Sequence, residues 1–105
     1  MDQYLVELYL PRRDEAALAD AAARARIASE QLASEGKPVR YLRAIFVPQD
    51  EICFHLYEAL APDVVGEASL RAQIAYERIV RAVSFDRDEL RQSERERRGN
   101  DKDEK

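Results

Sequence analysis

The order in which apolar residues recur along this chain limits its fold more than any other feature. An alternating segment that Pro11 closes comes first. Over residues 15–35 an alanine-rich segment follows, in which apolar residues recur three and four positions apart. Two more alternating segments, a shorter helical one and a last alternating one complete residues 3–85. Alternation predicts strands and three- or four-residue spacing predicts helices, so the predicted element order is β-α-β-β-α-β.

Local signals set the element boundaries. Asp14 is a good N-cap for the first helix, Gly36 suits the left-handed position that ends it, and Pro62 suits the first turn of the second helix. The predicted strands are 4–10, 39–47, 52–60 and 76–85, and the predicted helices are 15–35 and 62–73. This order is that of an α+β ferredoxin-like sandwich, whose two helices cover one face of a four-stranded sheet.

Residues 86–105 differ sharply from residues 1–85, which we predict to form a single ferredoxin-like domain. The last segment holds seven Lys or Arg and eight Asp or Glu, with one Leu and no aromatic residue. Such a segment cannot bury a core, so we expect a charged tail with frayed helix over 86–98 and disorder over 99–105. The whole chain has a net charge of -4, which disfavours a nucleic-acid partner.

The location of the protein is predicted from its cysteine content and its hydropathy. Cys53 is the one cysteine of the sequence, which excludes an intrachain disulfide. The sequence has no signal-peptide pattern and no apolar run of about 18 residues, so no membrane contact is predicted. The reducing cytoplasm is therefore the expected location.

Alternate residues of a strand point to opposite faces of a sheet, so the pattern also predicts what each face carries. We expect three apolar sets beneath the helices: Val6, Leu8 and Leu10; Leu42, Ala44 and Phe46; Ile52, Phe54 and Leu56. The sheet face away from the helices, called the open face below, would then carry Leu5, Glu7, Tyr9, Tyr41, Arg43, Ile45, Cys53, His55 and Tyr57. A face this apolar favours a homodimer with sheet against sheet and a small ligand between the sheets. The faces of the fourth strand stay undecided, because both of its sets mix apolar and charged residues.

The predicted open face also groups the residues that are candidates for chemistry. Glu7 beside His55 would raise the imidazole pKa and suit proton transfer, although a hydrogen-bonded pair in a dimer interface is the simpler alternative. No catalytic residue is assigned. The predicted ligand site consists of Glu7, Tyr9, Tyr41, Arg43, His55 and Tyr57. The candidate metal ligands are His55, Glu7 and Cys53, against the alternative that Cys53 is a small buried hydrophobic residue.

Three segments in order resemble a small family related to nickel-binding ferredoxin-like proteins. They are Tyr4–Glu7 with Pro11, Asp50–Ala59, and Tyr76–Val80 with Ala82 and Val83. The resemblance spans residues 3–85 and implies a dimeric α+β protein, with nickel or another divalent metal bound in some relatives. Those nickel binders carry His in the second strand and the second helix, whereas Tyr41–Arg43 and Glu67–Leu70 contain none here. The metal role therefore does not carry over residue by residue.

The sequence leaves two candidate functions. The first is non-enzymatic: a small cytoplasmic homodimer that binds a ligand or a metal, or serves as an interaction module. The alternative is a cofactor-independent enzyme of the dimeric α/β-barrel type, a monooxygenase or isomerase, with His55 as acid–base group and Arg43 as anion anchor. A sealed interface would favour the first function, and a pocket beside His55 would favour the second.

Overall fold

The computed structural model describes the backbone of residues 1–103 and the side chains of residues 1–98. Its elements are β1 (Asp2–Tyr9), α1 (Leu18–Ser34), β2 (Val39–Val47), β3 (Ile52–Ala59), α2 (Pro62–Arg71), β4 (Arg78–Ala82) and α3 (Arg87–Asp103). The strands form one antiparallel sheet in the order β2-β3-β1-β4. The predicted α+β class is confirmed, and the arrangement is compatible with a ferredoxin-like fold.

The helix ends follow the sequence signals in part. Gly36 has a φ of +88° just after α1, and the Lys37 N–H donates to the Leu32 carbonyl at 2.9 Å, as in a glycine-terminated helix. Pro62 opens α2 as predicted. Asp14 does not cap α1, because residues 12–17 form a tight 3-10 turn and the α-helix begins only at Leu18.

Both α1 and α2 pack on the same face of the sheet, called the helix face below. Small side chains bring the helices close to the strands, and Ala25, Ala28, Ala68 and Ala72 are all buried in this core. Ser29 and Ser69 are also buried, and each donates its hydroxyl proton to a carbonyl four residues earlier at 2.9 Å. Buried hydroxyls satisfied within their own helix add polarity to the core at little cost.

The face assignment of the third strand is wrong. In the β1–β3 register, Val6 lies opposite His55, Leu8 opposite Cys53 and Tyr4 opposite Tyr57. Directly opposite residues share a face, so Cys53, His55 and Tyr57 lie with Val6 on the helix face. Each of the three is at most 1% exposed. The alternate set, Ile52, Phe54 and Leu56, therefore lies on the open face.

Tyr41 also lies on the helix face rather than the open face. The β2–β3 ladder pairs Tyr41 with Tyr57 and Arg43 with Leu56, with an irregularity between them. This bulge leaves Leu42 as an extra residue, so Tyr41 and Arg43 point to opposite faces. The assignments of Ala44 and Phe46 to the helix face, and of Arg43 and Ile45 to the open face, are correct.

The open face has an apolar centre with ion pairs towards its margins. Its central residues across the four strands are Val47, Ile52, Ile45, Phe54, Leu56, Leu5 and Val80. The Arg78 Nε donates to Glu7 Oε2 at 2.9 Å, and the Arg40 Nη1 lies 3.6 Å from Glu58 Oε1. Arg43, opposite Leu56, is exposed and has no ion pair among the described residues, whereas the other charges named here are paired within the face. The apolar residues between them are suited to contact with another apolar surface.

The charged tail is helical over a longer span than predicted. Helix α3 runs to Asp103, whereas disorder is expected from residue 99; residues 104 and 105 of that expectation lie outside the described residues. Between residues 87 and 98 every side chain except the half-buried Ser93 is exposed. None of the helices within the described residues is long and apolar enough to cross a bilayer.

Candidate functional site

A row of three polar side chains runs along the helix face beneath α1. The Tyr41 hydroxyl lies 2.8 Å from His55 Nδ1, and His55 Nε2 lies 3.8 Å from Cys53 Sγ. The Tyr41 ring packs edge-on against Tyr57 with centroids 5.2 Å apart. Because alternate residues of β3 share a face, Cys53, His55 and Tyr57 are brought into line by the strand itself.

Burial keeps the members of this row uncharged. Desolvation, with a smaller contribution from the positive charge of Arg24, lowers the pKa of His55 to about 4. Desolvation raises the pKa of the Cys53 thiol to about 11, and it also raises the pKa of Tyr41 and of Tyr57. At neutral pH the row therefore consists of a phenol, a neutral imidazole and a thiol.

The hydrogen bond from Tyr41 fixes which ring nitrogen of His55 carries the proton. A phenol is a stronger acid than a neutral imidazole N–H, so we assign Tyr41 as the donor and Nδ1 as the acceptor. The proton of the neutral ring then lies on Nε2, the nitrogen nearer to Cys53. The ring therefore presents an N–H donor at that end.

A cavity of about 260 Å³ lies beside this end of the row. Its walls come from the end of β1, the start of α1 with the turn before it, and the segment after α2. The lining residues are Leu8, Tyr9, Leu10, Ala17, Leu18, Ala21, Arg24, Cys53, His55, Gln73, Ile74 and Ala75. A mostly aliphatic wall with a few polar groups at one side is typical of a small-molecule site.

Arg24 is the charged residue of this lining. Its Nε donates to the Ala72 carbonyl at 2.9 Å, and its Nη1 donates to the Asp20 carboxylate one turn earlier in α1. Arg24 is partly buried, whereas the Asp20 side chain is 74% exposed. The backbone bond therefore anchors the guanidinium beside the cavity, and its carboxylate partner lies towards solvent.

Gln73 contributes a strained backbone to the same wall. Its φ of +59° is in the left-handed region, which a residue with a side chain rarely adopts. Such a conformation persists only where the surrounding structure enforces it. Here the Ile74 N–H donates to the Ser69 carbonyl at 2.9 Å, which ties the segment to the last turn of α2.

The structure divides the predicted site residues between the two faces of the sheet. It brings Tyr41, His55 and Tyr57 together with Cys53 on the helix face. Glu7 and Arg43 lie on the open face, where Glu7 pairs with Arg78 instead of His55. Tyr9, at the end of β1 and more than half exposed, pairs with Ile52 and also borders the cavity.

The three predicted metal ligands do not meet. Only Cys53 and His55 are neighbours, and Glu7 lies on the opposite face of the sheet. Within the described residues no group of three or more His, Cys, Asp and Glu side chains is placed to hold a metal ion. A buried thiol with a raised pKa is also a poor source of the thiolate that binds metals. The residues present therefore do not fit a nickel centre.

The sequence reasoning missed Arg24 and Gln73. Arg24 looks like an ordinary charge in an alanine-rich helix, and only the packing of α1 shows that it lies beside His55. A signal for the correct face of His55 did exist. A four-residue turn at 48–51 places Val47 opposite Ile52, and counting back along both strands then places Ala44 opposite His55. Opposite residues share a face, so His55 lies on the face that the pattern had already assigned to Ala44.

Comparison with known proteins supports the fold alone. No protein-family model and no curated protein matches the chain. Among solved structures, the chain resembles the crystal structure of SCO4226 from Streptomyces coelicolor A3(2). The TM-score is 0.62 at 16% sequence identity, and the match covers 80% of this chain and 99% of that chain. The likeness therefore extends over nearly the whole neighbour.

Proposed function

We propose that this protein is a small cytoplasmic homodimer that binds a small organic molecule in the cavity beneath α1. The observation that carries the proposal is the lining of that cavity, where the Arg24 guanidinium lies at one side of a mostly aliphatic wall and the neutral, almost fully buried His55 and Cys53 form the floor. The volume of about 260 Å³ is below the roughly 300–1,000 Å³ of sites for drug-sized ligands, so the ligand is small.

Binding explains the chemistry of this site better than catalysis does. A general base or acid works best with a pKa near the working pH, whereas burial lowers the pKa of His55 to about 4. The cysteine beside it has a pKa raised to about 11, which leaves little thiolate for nucleophilic attack. Arg43, the predicted anion anchor of the enzyme alternative, is on the other face of the sheet. A pocket beside His55 is present, but its groups suit hydrogen bonding to a ligand.

The homodimer is supported by the apolar centre of the open face. Ile45 is 46% exposed there, and Phe54 and Leu5 are only half-buried. A second copy with its own sheet against this face would cover both centres at once, in the manner of a dimeric α/β barrel. The cytoplasmic part of the proposal rests on Cys53, whose buried free thiol suits a reducing environment.

Native mass spectrometry of the purified full-length protein tests the proposal, since it reports the subunit count and any retained molecule together. We expect a dimer that carries a small organic molecule. Ala21→Phe places a ring in the cavity and should abolish retention, because Ala21 lines it. Ala23→Phe is the matched control: Ala23 is exposed on the same helix, and this variant should retain the molecule.

Two results would contradict the proposal. One is wild-type protein that takes up no organic compound from a small-fragment library, as followed by the amide resonances of Cys53 and His55. The other is equal retention by Ala21→Phe and Ala23→Phe in variants whose circular dichroism matches the wild type, since the molecule would then lie elsewhere.

A further inference from the structure

We propose that the ligand of the cavity beneath α1 is a small carboxylate with a short apolar body. The inference rests on the proposed function and adds the chemical class of the ligand. It follows from the kinds of polar group that the cavity wall presents, and from the way in which Arg24 is held.

The charged donor of the cavity lining is Arg24. The Nε2–H of His55 lies 3.8 Å from Cys53 Sγ, and both residues are at most 1% exposed, so they form the floor of the cavity and leave the polar contact with a ligand to Arg24. Arg24 contributes guanidinium N–H groups, which cannot accept a hydrogen bond. Of the backbone carbonyls nearby, that of Ala72 is already used by Arg24. Tyr9 and Gln73, which also line the cavity, can each donate or accept a hydrogen bond, so the one side chain that only donates is Arg24, and it calls for an acceptor oxygen on the ligand.

Arg24 makes an anionic acceptor preferable to a neutral one. Its Nε and Nη1 have partners, whereas its Nη2 has no acceptor among the side chains and backbone of residues 1–98. The Asp20 carboxylate offsets part of the charge, but it lies in solvent, where water weakens its attraction. The Arg24 side chain is itself 40% exposed, and a carboxylate bound beside its guanidinium gains a charge-assisted hydrogen bond there.

The rest of the lining sets the body of the ligand. Leu8, Leu10, Leu18 and Ile74 supply aliphatic surface, and Ala17, Ala21 and Ala75 leave room between them. These walls offer an apolar chain or ring contact without polar partners. A short-chain or small cyclic carboxylate matches both parts of the lining, with the acid group beside Arg24 and the apolar body against the aliphatic side chains.

The test compares hexanoate with hexanamide, which has nearly the same shape and no charge. Each is titrated into the full-length protein at neutral pH, and the amide resonances of Cys53, His55 and Ala75 report binding. We expect hexanoate to bind more tightly than hexanamide by roughly tenfold, the value of one charge-assisted hydrogen bond over a neutral one. Arg24→Gln should remove that preference.

Two further variants keep the test decisive. Arg26→Gln is the matched control, because Arg26 pairs with Glu30 at the same four-residue spacing on the exposed side of α1 and does not line the cavity. It should keep the preference for hexanoate. Asp20→Asn releases Arg24 from its carboxylate and should tighten hexanoate binding while leaving hexanamide unchanged. This gain of affinity cannot result from misfolding.

The outcomes separate the two proposals. Equal binding of hexanoate and hexanamide, unchanged in Arg24→Gln and in Asp20→Asn, overturns the carboxylate class and leaves a neutral-ligand site standing. Failure of both compounds to shift the cavity resonances at millimolar concentration overturns the carboxylate class too. If the fragment library also leaves those resonances unchanged, the proposed function fails with it. Shifts confined to the open face would overturn the location of the site.

Discussion

At the scale of single residues, the half-buried Tyr41 and the fully buried Tyr57 of the helix face differ in the hydrogen bonding of their hydroxyls. The Tyr41 hydroxyl bonds His55 Nδ1 at 2.8 Å, whereas the Tyr57 hydroxyl is buried without a well-formed hydrogen bond among the described residues and has only the Ser69 hydroxyl, which donates to the Val65 carbonyl, as a polar neighbour. A buried polar group without a partner costs free energy, and a satisfied one does not. The same substitution should therefore lower the free energy of unfolding at Tyr41 and leave it unlowered at Tyr57.

Tyr57→Phe removes the unpartnered hydroxyl and keeps the ring, so we expect the free energy of unfolding to stay constant or to rise by up to about 1 kcal/mol. Tyr41→Phe leaves the buried His55 Nδ1 without a partner and should lower it by about 1–3 kcal/mol. Urea denaturation of both variants beside the wild type measures the difference. A larger loss for Tyr57→Phe than for Tyr41→Phe would contradict the assigned hydrogen bonds.

Sequence reasoning identified His55 and Tyr41 as site candidates but gave them the wrong neighbours. Polar side chains were expected away from the helices, since apolar residues usually fill the core. In β3 the opposite holds, because Tyr57 and Cys53 behave as core residues and His55 is satisfied by Tyr41. The partner of a buried polar residue depends on the register between strands: the turn at 48–51 sets the face of His55, whereas the bulge at Leu42, which sets the face of Tyr41, has no signal in the alternation of apolar residues.

At the scale of elements, the alternating apolar patterns of the second and third strands predicted the element bounds most accurately. Strand β2 has the predicted bounds, and β3 differs from its prediction by one residue. The bulge at Leu42 and the 3-10 turn at Arg12–Ala17 were not predictable, because both arise where neighbouring elements have to fit together. The bulge decides which face of the sheet the Tyr41 side chain occupies, and the 3-10 turn decides where α1 begins.

Gly36 allows a test of one such signal. A Cβ at this position would meet nothing within 4 Å, so a substitution there changes only the cost of the left-handed φ of +88°. We expect Gly36→Ala to lower the free energy of unfolding by about 1 kcal/mol, and Gly36→Asn to lower it less, because Asn tolerates this conformation. Thermal denaturation of the two variants beside the wild type measures both losses of stability. Equal losses would mean that the left-handed backbone conformation does not cause the destabilisation.

At the scale of the whole molecule, the two faces of the sheet serve different purposes in this account. The helix face holds the candidate ligand site, and the open face is the proposed dimer interface. The sequence predicted a partly apolar open face and, from it, a second copy, although four of its nine expected members lie on the helix face: Tyr41, Cys53, His55 and Tyr57. The homodimer stays a prediction.

Two isoleucines of nearly equal exposure test that interface. Ile45 on the open face is 46% exposed and Ile27 on the outer side of α1 is 47% exposed. Ile45→Glu buries a charge in the proposed dimer and should give monomers, whereas Ile27→Glu should remain dimeric. Sedimentation equilibrium measures both masses. Dimers of Ile45→Glu as stable as those of Ile27→Glu would place the interface elsewhere.

The burial of His55 has a consequence for stability against pH. Its pKa is about 4 in the folded chain and 6.5 without the surroundings of the fold, so between these values the unfolded chain binds more protons. The contribution is fully present above pH 6.5 and is lost as the pH falls towards 4, by about 3 kcal/mol in all. The wild type should show this loss and His55→Gln should not.

The most direct test of the account is a long-range ¹H–¹⁵N NMR titration of the His55 ring in the wild-type protein. A ring beneath α1 should stay neutral from pH 8 to pH 5 with its proton on Nε2, show a midpoint near pH 4, and give nuclear Overhauser contacts to cavity residues of α1. A midpoint near 6.5 with no contact to α1 would place His55 on the open face and contradict the account.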